Sequence, residues 1–198
     1  ETQAVQLPPP LVWKESATPE VVQLTMNLMS LYRPNRSLVI GVFTGLALIG
    51  VSSVTDPRGI VVGLEYPDLV HYWEKIGIKH AQRAGIMNRI QIRSVEGIER
   101  SLQKLAAYEP NAFDFILLDD VKKSNYLDDY EHSVRLLRNG GLLIITDALF
   151  NGAVLDGPDH ISPDAKVVQA MNSRIKSDPR VTSSLLPFAG GTWVIVRK

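Results

Sequence analysis

The chain has no cysteine among its 198 residues. Disulfides and thiolate metal sites are therefore excluded, and a reducing, cytoplasmic compartment is expected. Neither sign of charge is in excess, since 21 Lys and Arg balance 21 Asp and Glu. A neutral chain offers no broad basic footprint for nucleic acid and no charged tail. No apolar run approaches the roughly 18 residues of a membrane span, so a membrane partner is not expected either. Histidine is scarce: His71, His80, His132 and His160 are the only four, and their spacing groups none of them as ligands. Repeats and low-complexity segments are lacking too. The chain opens on Glu1 rather than Met, so a leading stretch, with any targeting peptide, is expected to be missing from view.

What is present is apolar: 45% of the residues are hydrophobic, enough for one domain with a sizeable core. Residues 1–17, with Pro8-Pro9-Pro10, read as an extended lead-in without a core face, and residues 18–198 read as the domain. Thr18-Pro19-Glu20 starts a helix, with Thr18 as cap and Pro19 in the first turn. Leu38-Val39-Ile40 is apolar without alternation, the pattern of a strand buried on both faces. It breaks into Gly41 and Gly45, and an apolar helix follows from Leu46 to Val54. Strands are expected at Ile60–Leu64, Ile90–Ile92, Phe113–Leu118 and Leu142–Ile145. Helices are expected over 68–84, from Ile98 to Ala106, over 126–137 with Asn139-Gly140-Gly141 as its cap, and over 165–176. Val181–Phe188 and Thr192–Arg197 flank Ala189-Gly190-Gly191, a hairpin signal. Strands alternating with helices imply parallel βαβ units, closed here by one antiparallel strand.

The acidic residues fall at strand ends. Glu65, Asp119 and Asp147 each follow an apolar strand directly, and Glu96 follows one closely. In a parallel sheet these ends share one edge with the Gly41–Gly45 turn. A strand, a glycine turn and a helix present free backbone N–H groups and a positive dipole end at that edge. A carboxylate after the second strand is placed to take hydrogen bonds from ribose hydroxyls. The pattern points to a nucleotide-like ligand.

Several anchors then converge: Thr18-Pro19-Glu20, Ile40-Gly-Val-Phe-Thr-Gly45, Arg83-Ala-Gly85 with Asn88-Arg-Ile90, and Phe113-Asp-Phe-Ile-Leu-Leu-Asp119. Asn125-Tyr126, Gly140-Gly141, Leu149-Phe-Asn-Gly152, Asp178-Pro-Arg180 and Leu185-Leu-Pro187 continue the series. On these residues the chain resembles the small class I S-adenosylmethionine-dependent O-methyltransferases of the caffeoyl-coenzyme-A and catechol type. The resemblance implies a three-layer, Rossmann-like methyltransferase fold, with a seven-stranded, mostly parallel sheet and one reversed strand. It also implies a methyl donor over the glycine turn, a divalent cation such as Mg²⁺ holding a vicinal hydroxyl pair, a small hydroxylated aromatic acceptor and a homodimer. Carried over, Gly41, Val42, Thr44 and Gly45 approach the donor, Glu65 binds its ribose, and Glu96 and Gly97 border its adenine. Asp119 borders the donor and supplies the first metal carboxylate, Thr146 and Asp147 complete the metal set, and Lys122 is the lysine of the family's DxxK, beside the reacting hydroxyl. Asp120 and Lys123 repeat that spacing one residue on; the strand counted from Phe113 favours Asp119 and Lys122.

The departures carry expectations of their own. Val39 stands where the family has a donor-site Glu, and Leu46-Ala47 replaces Tyr-Ser after the turn. Thr146-Asp147 replaces the metal pair Asp-Asn, and Phe150 stands in the place of a Trp. A neutral hydroxyl is a poorer ligand than a carboxylate for a hard cation. Two further readings therefore stand beside the metal-assisted enzyme: a metal-independent enzyme of the same fold, and a protein with a decayed donor or metal site that binds a partner. Trp13 could line a substrate pocket, and Ser52-Ser53, inside a helix without a glycine elbow, is not a hydrolase nucleophile.

Overall fold

The structure is a computed structural model that describes residues 6–9, 11, 12, 15, 17–157 and 159–198; Trp13 lies outside the described residues. Its elements run α1 (Pro19–Ser30), β1 (Arg36–Ile40), α2 (Leu46–Val54), β2 (Ile60–Glu65) and α3 (Pro67–Tyr72), then a π-helical turn (Trp73–Gly77) and α4 (Ile78–Arg83). They continue β3 (Ile90–Ser94), α5 (Ile98–Tyr108), β4 (Phe113–Leu118), α6 (Tyr126–Leu136), β5 (Leu137–Ile145), α7 (Pro163–Ser177), β6 (Val181–Leu186) and β7 (Thr192–Arg197). Thr18 caps α1 as its residue type predicts, its hydroxyl accepting from the Val21 amide at 3.4 Å. Among the described residues no helix is long and apolar enough to cross a membrane.

The seven strands form one sheet in the order β3-β2-β1-β4-β5-β7-β6. The first five are parallel, and β7 lies antiparallel between β5 and β6. This is the three-layer, Rossmann-like architecture expected, with a single reversed strand. The two faces separate along each strand with the pleat's period of two. Leu38, Ile40, Val62, Leu64, Ile116, Leu118, Leu143 and Ile145 pack toward α5, α6 and α7. Val39, Val61, Phe115, Leu117 and Ile144 pack toward α1 and α2.

Three local expectations are corrected. Residues 68–84 are not one amphipathic helix. The π turn shifts the packing face, so Leu69 and Tyr72 join one core layer and Trp73 and Ala81 the other. Two glycines explain the shift: side chains at Gly45 or Gly77 would collide with the Trp73 indole, which fits only against bare backbone. Asn139-Gly140-Gly141 does not cap α6 but lies within β5, where the register jumps from Phe113 opposite Leu137 to Phe115 opposite Leu142. Leu137, fully buried, is drawn into the sheet, and Gly140 at φ +72° takes up the bulge. Finally, the lead-in does have a core face, because Leu7 and Leu11 pack against the α5–α7 layer.

Candidate active site

Parallel pairing places the carboxyl ends of β1 to β5 on one edge. The links between them are short: Gly41 N–H donates to the Leu64 carbonyl (3.1 Å), Asp119 N–H to Ile40 (2.8 Å) and Thr146 N–H to Leu118 (3.1 Å). Gly41 takes φ +87°, and a Cβ there would drive into the carbonyl of Asp119, so the glycine turn and the end of β4 touch through backbone. Gly45, at φ +90°, sits at the start of α2 with no side-chain cap. First-turn amides of a helix lack intrahelical partners, and Leu46, the first residue of α2, is 39% exposed. These features fit a polar ligand above β1.

Glu65 does something other than face that space. Its carboxylate is fully buried and accepts three backbone N–H bonds, from Val42 (2.8 Å), Phe43 (2.7 Å) and Tyr66 (2.7 Å). Burial raises its pKa, and these bonds only partly offset that. In this arrangement Glu65 braces the glycine turn from within. Val39, where the resemblance leads one to expect a carboxylate, is fully buried against the α1/α2 layer. Lys122 reaches across from the end of β4, its ammonium 3.7 Å above the Tyr66 ring and 3.4 Å from Asp68 Oδ2. This exposed pair links the segments that follow β4 and β2, the two strands flanking β1. Gly41, Val42, Phe43, Thr44 and Gly45 are all buried.

The other half of the site gathers around Lys123. Its side chain is 3% exposed, and its ammonium contacts Asp147 Oδ2 (2.9 Å), the Tyr126 hydroxyl (2.9 Å) and the Asp120 carbonyl. Thr146 donates its hydroxyl to Asp119 Oδ1 at 2.6 Å. Burial pushes the Asp119 carboxyl up to about 7, against the opposing pull of Lys123 and Thr146. For Lys123, burial acts downward, yet Tyr126, Asp147 and Asp119 outweigh it and the net shift is upward, so the group stays an ammonium. Glu15, from the amino-terminal segment, is within electrostatic reach of both Lys123 and Asp147. Asp147 itself adopts φ +54°. The hairpin tip fixes it: Ala148 and Leu149 donate to the Gly191 and Gly190 carbonyls (2.9 and 2.8 Å), and Asp147 Oδ1 occupies the space a Gly190 side chain would need.

The structure thus joins Asp119, Thr146 and Asp147 with Lys123, and places Lys122 against Tyr66 and Asp68 instead. The strand register delivers Asp119 while the helix register delivers Lys123, and the extra residue is absorbed between them. The alternative spacing was visible in the sequence, and Tyr126 and Gly190 stood in an anchor and a hairpin signal without a site role; Glu15 had no local signal. Glu96 is exposed, and Gly97 precedes the first residue of α5. Ser53 Oγ bonds the Ile49 carbonyl at 2.8 Å, a helix-internal role. The donor set does not fit a hard divalent cation. Such ions take about six oxygens; here one donor is a hydroxyl already given to Asp119, and Asp147 already holds an ammonium. No group of three or more His, Asp or Glu side chains that could hold a metal occurs among the described residues.

Comparison with known proteins agrees with the fold. The profile of the family described as O-methyltransferase matches residues 11–198. A Dictyostelium discoideum protein named Probable caffeoyl-CoA O-methyltransferase 2 is 31% identical over 171 residues, covering 86% of this chain and 72% of its own. The Mus musculus Catechol O-methyltransferase domain-containing protein 1 is 32% identical over 174 residues, covering 88% of this chain and 64% of its own. A crystal structure of an O-methyltransferase from Bacillus cereus in complex with SAH superposes at a TM-score of 0.80 over 93% of this chain and 83% of its own, at 24% identity. A strand-end glycine turn on a seven-stranded sheet with one reversed strand, together with a family match along nearly the whole chain, leads to one conclusion: the chain belongs to the S-adenosylmethionine-dependent O-methyltransferases of the caffeoyl-coenzyme-A type.

Proposed function

We propose that this chain transfers a methyl group to the hydroxyl of a small acceptor, a hydroxylated aromatic, seated between Asp119, Lys123 and the amino-terminal segment that carries Glu15. The supporting observation is the backbone contact between Gly41 and Asp119, which sets the donor turn directly beside the acidic cluster. When bound, S-adenosylmethionine supplies an electrophilic methyl on its sulfonium; Gly41–Gly45 and the first turn of α2 are the residues that would hold it. Asp119 is the group placed to accept the hydroxyl proton, since its raised pKa brings it near neutrality. Lys123 is not a base in this role, because its charge is held by three oxygen partners. Its fixed positive charge favours the oxyanion that forms as the proton leaves.

A second reading is motivated by Glu65 and Val39: a donor site too altered to bind a nucleoside, in a chain that serves as a binding partner. Titration calorimetry with S-adenosylhomocysteine separates the two. Heat at submillimolar ligand, and donor-dependent methylation of a panel of phenols that Asp119→Ala abolishes, are expected. Absence of heat would leave only the second reading.

A further inference from the structure

We propose that the Lys123 ammonium is this chain's own built-in cation, standing between the ends of β4 and β5 where a divalent metal would otherwise hold the acceptor, so that acceptor binding needs no metal. This rests on the methyl-transfer reading for its consequence, but not for its test. The position is specific. Lys123 follows Asp119 by four residues rather than the three of a DxxK motif, and the extra residue turns the chain so that the lysine points inward and Lys122 outward. The ammonium donates to the Tyr126 hydroxyl at 2.9 Å and to the Asp120 carbonyl, and it pairs with Asp147 Oδ2 at 2.9 Å. The Tyr126 hydroxyl in turn reaches the Asp120 carbonyl at 3.1 Å. The remaining carboxylate, Asp119, has the Thr146 hydroxyl on Oδ1.

A doubly charged ion shared by Asp119 and Asp147 would lie beside the buried ammonium on Asp147 Oδ2 and compete with the Thr146 hydroxyl on Asp119 Oδ1. Like-charge repulsion at such range opposes it. The consequence concerns the acceptor. A metal with two open coordination positions chelates a vicinal hydroxyl pair; an ammonium already paired with Asp147 contributes charge at one point. The acceptor class is therefore a compound with a single ionisable hydroxyl beside Asp119, with no second adjacent hydroxyl required.

Manganese binding tests this directly, with neither donor nor acceptor present. Titration of Mn²⁺ into the full chain, followed by electron paramagnetic resonance of the free ion, is expected to show no site filled below millimolar concentration. Lys123→Met keeps the length of the side chain and removes its charge; it is expected to bind Mn²⁺ at least tenfold more tightly than the wild type, as Asp119 and Asp147 are left without a counter-charge. Uptake of one equivalent of Mn²⁺ by the wild type at micromolar concentration would overturn the proposal, as would equal affinity in a folded Lys123→Met. Should that variant fail to fold, the wild-type titration decides alone. Methylation that persists in excess chelator supports the same conclusion, and methylation that stops in chelator refutes it. Failure of S-adenosylhomocysteine to bind would refute the functional reading and leave the manganese result standing.

Discussion

Glu65 shows how much one side chain's direction decides. Its position after β2 marks it as a ribose ligand, and its place at the sheet edge agrees with that. Yet a carboxylate has about four acceptor positions, and here three are taken by the Val42, Phe43 and Tyr66 amides with no surface left to solvent. Ribose binding would require Glu65 to release part of the turn. Glu65→Ala is expected to destabilise the fold strongly, because each orphaned buried amide costs on the order of 1–3 kcal/mol. Glu65→Gln, which keeps two polar termini but only one acceptor oxygen, should fall between Ala and wild type. Urea denaturation ranks the three; a neutral Glu65→Ala would show that the turn does not depend on this brace. The two lysines teach the same lesson. Neighbours in sequence, they differ from 44% to 3% exposure. Strand counting and helix counting place the motif one residue apart, and only the packing of β4 against α6 decides which lysine enters.

Helix α6 contains a buried carboxyl group that the periodicity of the sequence hides. Asp129 reads as one of a polar pair with Asp128, but it is fully buried, and neither of its oxygens has a hydrogen-bond partner. Burial pushes its pKa up to about 8, with Asp120, Glu99 and Asp128 adding to the rise. In the unfolded chain the group titrates near 3.9. The folded state therefore holds the proton between about pH 4 and pH 8, and stability falls as pH rises through that window. Asp129→Asn, neutral at every pH, should stabilise the protein more at pH 9 than at pH 5 in thermal unfolding. Asp119 and Asp120 shift in the same direction, so the variant should flatten the slope without removing it. A constant difference between the two pH values would refute the burial argument.

Across the whole molecule, the opposite titration limits stability on the acid side. Asp178 joins three elements just before β6: it takes the Tyr130 hydroxyl of α6 at 2.8 Å, pairs with Arg180, and lies 3.7 Å from Arg174 of α7. Glu131 binds both arginines, at 2.5 and 2.8 Å. The hydrogen bond from Arg180, more than any other contact, holds the Asp178 carboxyl well below its ordinary range. That contribution is present above about pH 4 and is lost as pH falls through the depressed value. Asp178→Asn should therefore cost stability at pH 7 and progressively less toward pH 2. The arginines are about a third exposed, so raising the salt concentration should shrink the cost. Equal destabilisation at both pH values would show that Asp178 matters only through its shape.

The sequence by itself determined the architecture. Buried strands, glycine breaks and helix starts are written in local apolar period and backbone preference, which neighbouring residues suffice to specify. It also determined which strand ends carry acid, because a parallel sheet sends every such end to one edge. What only the tertiary structure decided is where those side chains point. Glu65 turns inward to its own glycine loop, Lys123 rather than Lys122 meets Asp119 and Asp147, and a hairpin tip more than 40 residues downstream fixes Asp147 against Gly190. A side chain's partner is set by residues remote in sequence that close the space around it, and no period along the chain records them.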